Sequence, residues 1–362
     1  MLRLTQKIML LSKVVTSYIG CVIGAGFASG QEIMQFFILH GNRGLLGVAL
    51  AAVLFAYLGG LVMFLAIRMR STNYLDLLSF VMGPAAGKVM DILNLLMLLG
   101  GLSVMMAGSA AVFGEEFGLP ARSGIWSLCV LTTMVILGGL DGVLAANVIL
   151  VPIKFLAIVL IACVVIIKSG NSTLSSPFVA NVEGVAGHWF WAGFLYVSYN
   201  MVVPVAVLSS LGRVIPLKIG IAGGVIGGLL LGLAVSMVTL AGLLYLPELS
   251  SCQIPLLYLA GRLGWVFHLA IGFLIWLAIL TSAIADAHGI ASRLAPGGGA
   301  RYRVYGTGAC LLALPLASYS FSELVRLLYP AFGCAGLVLM ACLLIVPVIK
   351  FCKSGKNDFH IL

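Results

Sequence analysis

The chain consists of long apolar segments, many of more than 20 residues, that carry almost no charged side chains. A helix of about 20 apolar residues spans the ~30 Å hydrocarbon core of a bilayer. Only 9% of the residues are charged and 62% are hydrophobic, whereas soluble domains carry about a quarter charged residues. The segments are continuous and do not alternate between apolar and polar residues. They therefore predict membrane-spanning helices and exclude a soluble enzyme and an outer-membrane barrel.

Ten segments are predicted to cross the membrane, and a polar connection separates the first five from the last five. Because five is an odd number, the two halves have opposite orientations, which is the layout of an inverted-repeat transporter. The predicted units are a first five-helix repeat over 1–168, an external loop over 169–187, a second repeat over 188–350 and a cytoplasmic tail over 351–362. The predicted spans are 9–39, 44–67, 88–114, 122–140, 143–167, 188–211, 218–246, 264–292, 302–321 and 324–350.

The basic residues predict the orientation of the chain. If the N-terminus lies in the cytoplasm, 14 Lys and Arg residues fall on the cytoplasmic side and five on the external side. This is the asymmetry of the positive-inside rule, so both termini are expected in the cytoplasm. The net charge of +9 is thereby explained by topology, and no nucleic-acid partner is expected. No nucleophile–base pair or metal-protease motif is present in the sequence, so we expect no enzymatic activity.

The first span is interrupted by glycine. Four glycines lie within residues 20–30, and Gln31 and Glu32 follow them. Glycine is a poor helix former, and an unwound backbone persists inside a membrane only where protein or a water-filled cavity satisfies its polar groups. The alternative is close helix packing through small residues. In the sixth span, Asn200 and Pro204 are predicted to break the helix at the corresponding place. Paired interruptions of this kind predict a binding site near the middle of the membrane.

Several polar side chains inside the spans are candidates for coupling or gating. Thr281 and Ser282 either complete an oxygen cage for Na⁺ or bond back to carbonyls one turn earlier. Asp286 follows Ser282 by four residues and so shares its face of the helix. Lys154 is predicted at the depth of Thr281. It suits proton coupling, because a buried lysine loses its proton readily, and its alternatives are a cytoplasmic water pocket or a static pair with Asp286.

Glu32 has two interpretations at this stage. The segment from Ser29 to Glu32 matches a capping box, in which Ser29 is the N-cap of a helix that restarts the outer half of the span. Alternatively, Glu32 lines the external vestibule and takes part in gating.

The run from Ile23 to Glu32, IGAGFASGQE, resembles the signature of the YkvI-like bacterial membrane proteins. That family is placed in the amino acid–polyamine–organocation transporter superfamily, which has the LeuT-type fold with broken helices 1 and 6. The resemblance implies an all-α protein of the bacterial inner membrane that couples Na⁺ or H⁺ to uptake of an amino acid or similar small zwitterion by alternating access. It implies no cofactor beyond the coupling ion. Ligand sensing, as in spore-germinant receptors of the same fold, is the alternative function.

The resemblance also implies site residues. A Na⁺ site would use the carbonyls of Gly20, Ile23 and Ala278 and the hydroxyls of Thr281 and Ser282. Lys154 resembles the fifth-span lysine that takes the place of Na⁺ in proton-coupled members, so both ions remain candidates. The substrate carboxylate would lie on the amides of Ala25 and Gly26. Further contacts would come from Gly24, Ser29, Ser103, Met106, Ser198, Tyr199 and Asn200. Since no charged residue is assigned to this pocket, a neutral amino acid is the expected substrate.

Overall fold

The computed structural model describes residues 4–71, 74–138, 141–169, 184–250, 252–295 and 298–353, and over this part of the chain all regular structure is helical. Short 3-10 helices lie at Ile38–Arg43 and Leu316–Ser318. The α-helices are α1 (Leu4–Val22), α2 (Ala25–Ser29), α3 (Gln31–Phe36), α4 (Gly44–Arg68), α5 (Tyr74–Met82), α6 (Pro84–Glu115), α7 (Ala121–Gly138), α8 (Asp141–Lys168), α9 (Trp189–Ser210), α10 (Leu217–Leu243), α11 (Leu246–Leu249), α12 (Pro255–Gly261), α13 (Trp265–Leu294), α14 (Gly299–Ala313) and α15 (Phe321–Lys353).

Eight helices among the described residues are long and apolar enough to cross a membrane. They are α4, α6, α7, α8, α9, α10, α13 and α15, which match eight of the ten predicted spans. The predicted first span is divided among α1, α2 and α3, and the predicted ninth span coincides with α14 and the 3-10 helix that follows it. The prediction of an all-α, multi-pass membrane protein is confirmed. Helices α5, α11 and α12 were not predicted, because each has fewer than ten residues.

The packing of the helices follows the inverted repeat. Helices α4 and α10, which are the second spans of the two halves, pack along each other, and so do the third spans, α6 and α13. The contact of α1 with α10 has its counterpart in α9 with α4, and that of α6 with α7 in α13 with α14. Exchanging the two halves therefore reproduces these contacts, as a pseudo-two-fold axis requires. Most of the predicted connecting loop (170–183) and the end of the predicted tail (354–362) lie outside the described residues.

Glycine brings α4 and α10 into backbone contact. A β-carbon on Gly228 would overlap the backbone nitrogen of Ala56, and one on Gly224 would overlap the carbonyl of Gly59. Small residues allow such close approach, which supplies van der Waals contact where lipid removes the hydrophobic driving force. The α1 helix is held against this pair by Tyr18, whose hydroxyl donates to the Phe55 carbonyl at 2.9 Å.

Polar contacts link α6 and α13 at both ends. Near one end, the Arg293 Nε donates to the Asp91 Oδ1 at 2.8 Å, and the Arg293 Nη2 donates to the Asp91 Oδ2 at 2.5 Å. Near the other end, the His268 Nδ1 lies 2.7 Å from the Glu116 Oε2. Side-by-side hydrogen bonds between a guanidinium and a carboxylate also fix orientation. These two helices therefore form a cross-linked frame beside the interrupted first span.

Candidate functional site

The interruption predicted in the first span is present. Helix α1 ends at Val22 and α2 begins at Ala25, so Ile23 and Gly24 lie outside both helices. A second interruption follows at Gly30, whose φ of +81° is a left-handed conformation that glycine adopts without steric cost. Gly30 also packs closely on α12, because a β-carbon there would lie 3.2 Å from the backbone nitrogen of Leu256. The local sequence therefore divides this span into the long helix α1 and the two short helices α2 and α3.

The interruption predicted in the sixth span is wrong. Helix α9 runs continuously from Trp189 to Ser210 and includes both Asn200 and Pro204. Proline is tolerated inside membrane helices where neighbouring groups satisfy the backbone. Here the Asn200 amide donates to the Tyr196 carbonyl at 3.1 Å, within the same helix. Asn200 thus reinforces the turn that it was expected to disturb.

A cavity of about 460 Å³ lies beside the break in the first span. It is lined by residues of the first span and of α6, α8, α9, α13 and α15. Thr16 and Ser17, which precede the break, are among the lining residues, as is Asn94 from the first half of α6. The cavity therefore extends from the break toward the face that holds the start of α1. In the orientation predicted from the basic residues, this is the cytoplasmic face.

The opposite side of the cavity is closed by aromatic side chains. Phe36 and Phe37 follow the break, and their rings pack on Tyr196 of α9 with centroids 5.5 and 4.9 Å apart. Tyr199 contacts both Phe36 and Tyr196, with centroids at 5.6 and 5.7 Å. All four side chains are buried. This aromatic cluster separates the cavity from the face that holds the start of α4.

Glu32 lies on the wall of the cavity. Its carboxylate is buried, and its Oε2 accepts a hydrogen bond of 2.6 Å from the Tyr199 hydroxyl. The side chain folds back over Gly26, where a β-carbon would overlap Oε1 and lie 2.7 Å from Cδ. The predicted capping box is not formed, since Gly30 is the N-cap of α3 and the Ser29 hydroxyl donates to the Gly26 carbonyl at 2.9 Å.

Asp286 supplies a second carboxylate to the same cavity. It reaches across to α6, because a β-carbon on Gly101 would lie 2.9 Å from its Oδ2. Within the described part of the chain, no hydrogen bond or ion pair engages this carboxylate. Ser282 lines the cavity one turn earlier and faces the break, with its hydroxyl 3.6 Å from the position of a β-carbon on Gly24.

Lys154 is buried and contacts a residue of the predicted Na⁺ site. Its Nζ donates to the Thr281 hydroxyl at 2.9 Å, and that hydroxyl donates to the Ala278 carbonyl at 3.0 Å. In the part of the chain that the structure describes, no ion pair joins Lys154 to Asp286, so the alternative of a static pair is not formed. Gly20, also assigned to this site, packs on Val151 of the same helix as Lys154. The Ile23 amide donates to the Ile19 carbonyl at 2.8 Å and so continues the pattern of α1.

The structure separates the remaining predicted site residues into two groups. Gly20, Gly24, Ala25, Tyr199, Asn200 and Ser282 line the cavity. Three serines expected to contact substrate instead donate to backbone carbonyls: Ser29 to Gly26, Ser103 to Leu99 and Ser198 to Gly333. Met106, which was also expected to contact substrate, is fully buried and is not among the residues that line the cavity.

Two aromatic residues of α15, Tyr329 and Phe332, line the cavity and were missed from the sequence. The Tyr329 ring packs on Tyr199 and on Phe332, with centroids 5.0 and 6.0 Å apart. A single tyrosine within the first turns of a span is typical of the aromatic belt at a membrane interface, so the sequence carried no signal for a site here.

Two relatives and a number of solved structures are similar to the chain, while no family model matches it. The "Uncharacterized protein YyaD" of Bacillus subtilis is 31% identical over 340 residues, which cover 92% of this chain and 95% of the relative. The "Uncharacterized membrane protein YkvI" of the same organism is 26% identical over 342 residues, with the same coverage. A manganese transporter of Eremococcus coleocola aligns with a TM-score of 0.60 at 15% identity, over 98% of this chain and 82% of the transporter.

The inward-facing conformation of Mhp1 aligns with a TM-score of 0.59 at 13% identity, over 95% of this chain and 90% of Mhp1. The chain is therefore a multi-pass membrane protein with the LeuT-type fold. It belongs to the family of the Bacillus subtilis protein YyaD.

Proposed function

We propose that the protein is a secondary transporter that moves a small solute bearing an amino group across the inner membrane by alternating access. The observation that carries this proposal is the cavity beside the broken first span, which is closed on one side by the aromatic cluster and extends toward the other face. Unwound backbone and polar groups near the middle of a membrane are typical of transporter binding sites. An amino acid or similar zwitterion, suggested by the sequence, is the starting candidate.

The two interruptions in the first span supply the flexibility that alternating access needs. Ile23 and Gly24 separate α1 from α2, and Gly30 separates α2 from α3, so the segments can tilt independently. The polar contacts at both ends of α6 and α13 stabilise the neighbouring frame. Movement of α1 away from this frame opens one face, and movement of α3 opens the other.

Protons are the proposed coupling ion. The Lys154 ammonium lies 2.9 Å from the Thr281 hydroxyl, which is a ligand of the predicted Na⁺ site. A Na⁺ ion bound to the same hydroxyl oxygen, at ~4 Å from this ammonium, would be repelled by about 4 kcal/mol at an effective dielectric constant of ~20. Release of the Lys154 proton would remove a positive charge from the region of the break. A change in charge of this kind can favour one of the two conformations over the other.

Solute counterflow in proteoliposomes tests both parts of the proposal. The liposomes are preloaded with an unlabelled compound, which is in turn an amino acid or the amine obtained by removing its carboxylate. Entry of the same compound in labelled form is then followed under a pH gradient or a Na⁺ gradient. We expect exchange of at least one compound, driven by the pH gradient and independent of Na⁺. Lys154→Gln should abolish the effect of the pH gradient, whereas Lys168→Gln, at the exposed end of the same helix, should retain it.

Three outcomes would contradict the proposal. Uptake driven by Na⁺ would overturn proton coupling, and so would a Lys154→Gln variant that still responds to the pH gradient. Binding of a compound without any counterflow would overturn transport itself and favour a ligand sensor.

A further inference from the structure

We infer that the cavity binds a small organic cation, an amine without a carboxylate group, whose ammonium lies between Glu32 and Asp286. This inference names the substrate class of the same site and therefore rests on the proposed function. It differs from the neutral zwitterion expected from the sequence, because that expectation assumed a pocket without charged side chains. The structure places two carboxylates on the wall of this pocket.

The Glu32 side chain lies against the backbone that was predicted to hold the substrate carboxylate. That place was the backbone around Ala25 and Gly26, at the start of α2. The Glu32 side chain folds over this backbone so closely that its Cγ and Cδ would each lie 2.7 Å from a β-carbon on Gly26. Glu32 is held there by the hydrogen bond from Tyr199 and by the packing of α3. A second carboxylate, brought by a ligand, would meet both a steric overlap and a like charge.

The two carboxyl groups on the wall of the cavity favour a ligand of positive charge. No Lys, Arg or His side chain is among the described residues that line it, whereas Glu32 and Asp286 both are. The Lys154 ammonium, which is buried, donates to Thr281, and Lys154 is not among the residues that line the cavity. Buried charges are ordinarily paired, because removing them from water costs several kcal/mol. A cationic ligand can pair with both carboxylates, whereas a neutral or anionic ligand cannot.

The remaining walls suit an organic cation. Tyr199, Tyr329 and Phe332 contribute aromatic rings to the lining, and aromatic faces attract ammonium groups. Aliphatic side chains such as Met97, Leu98 and Val203 complete the cavity and can cover the apolar part of an amine.

A metal ion is a poorer match to the same site. No group of three or more His, Cys, Asp or Glu side chains suitable for a metal occurs in the part of the chain that the structure describes. Hard divalent cations take about six oxygen ligands in a compact shell. A volume of about 460 Å³ is far larger than such a shell needs.

Thermal unfolding of the purified full-length protein with matched pairs of compounds tests the inference. Each pair differs only in one carboxylate: tyramine and tyrosine, histamine and histidine, isoamylamine and leucine, putrescine and ornithine. We expect at least one amine to raise the melting temperature at concentrations where its amino acid has no effect. A ligand that binds only the folded state raises the melting temperature by an amount that grows with the ratio of its concentration to its Kd. Mn²⁺ is included as the metal probe.

Two charge-neutralising variants and one control locate the effect. Glu32→Gln should raise the Kd of the stabilising amine by at least about tenfold, because a hydrogen bond to a charged group is lost. Asp286→Asn should do the same and serves as the second test if Glu32→Gln does not fold. The matched control is Glu323→Gln, an exposed acid in the first turn of α15 outside the cavity, and it should leave the Kd unchanged.

The inference is overturned if an amino acid stabilises the protein as well as its amine, if only Mn²⁺ stabilises it, or if none of the compounds does. It is also overturned if both cavity variants bind the amine as the wild type does. Its failure is distinguishable from that of the proposed function. If an amine binds but shows no counterflow, the proposal of transport is overturned and the inferred ligand class stands. If only amino acids show counterflow, the proposal of transport stands and the inferred ligand class is overturned.

Discussion

Gly26 leaves the space into which the Glu32 carboxylate folds, so an alanine at this position should be costly for a specific reason. The added β-carbon would overlap Oε1 of Glu32 and lie 2.7 Å from Cγ and Cδ. The three atoms belong to one buried side chain, which is 4% exposed, and it can avoid the added methyl group only by turning into the adjoining cavity and leaving its present position. Gly26→Ala therefore forces Glu32 to move.

The cost follows from the contact that Glu32 gives up. Its displacement breaks the hydrogen bond from Tyr199, and a hydrogen bond to a charged group contributes about 1.5–3 kcal/mol. An unfolding entropy of about 2.1 cal/mol/K per residue amounts to about 0.8 kcal/mol/K over 362 residues. Gly26→Ala should therefore lower the melting temperature by about 2–4 °C.

A double-mutant cycle with Glu32→Ala measures this contact. Glu32→Ala removes the overlapping atoms, so Gly26→Ala should be neutral or slightly stabilising in that background, given that alanine is the better helix former. The coupling between the two positions should be about 1.5–3 kcal/mol, within the range seen for residues in contact. The control is Gly114→Ala on α6, where a β-carbon meets nothing within 4 Å. Melting of the detergent-purified protein gives all the values.

Equal destabilisation by Gly26→Ala in both backgrounds would refute the reasoning. It would mean that Glu32 does not lie on Gly26, and the exclusion of a ligand carboxylate would lose its structural basis.

Three further predictions concern packing and access. Gly228→Ala should destabilise the protein by about 1–3 kcal/mol, because the added methyl meets the backbone of α4, whereas Gly308→Ala in open space should not destabilise it; thermal unfolding compares the two. A double-mutant cycle of Asp91→Asn and Arg293→Gln should give a coupling of about 1 kcal/mol that decreases with salt, because the Arg293 side chain is partly exposed, and additive effects of the two substitutions would refute a contribution of this pair. In a cysteine-free background, Ser17→Cys should react with a membrane-impermeant thiol reagent added to the N-terminal face, and reaction only from the other face would contradict the direction of the cavity.

Much of the fold could be predicted from the sequence, because it depends on local properties. The apolar run over 44–67 predicted α4 to within one residue at its C-terminal end. This is possible because the rise per residue sets how many residues a helix needs to cross the membrane. The break in the first span was also predictable, because Gly24 and Gly30 weaken the helix whatever surrounds them. The pairing of the halves followed from the count of spans.

The effect of proline in α9 could not be predicted in this way. Pro204 removes one backbone donor wherever it occurs, and neighbouring helices decide whether the helix breaks or continues. Here α9 packs between α4 and α15 and continues to Ser210.

The chemistry of the site was decided by tertiary structure. The sequence alone determined a membrane protein with ten expected spans, a broken first helix, and polar residues at given depths, including Lys154 near the depth of Thr281. Which side chains meet depends on the rotation of each helix about its axis, and packing against other helices sets that rotation. Packing brings Glu32 to Tyr199, 167 residues away, and leaves Asp286 facing the same cavity. Depth in the membrane is a property of one segment, whereas a binding site is a property of several segments packed together.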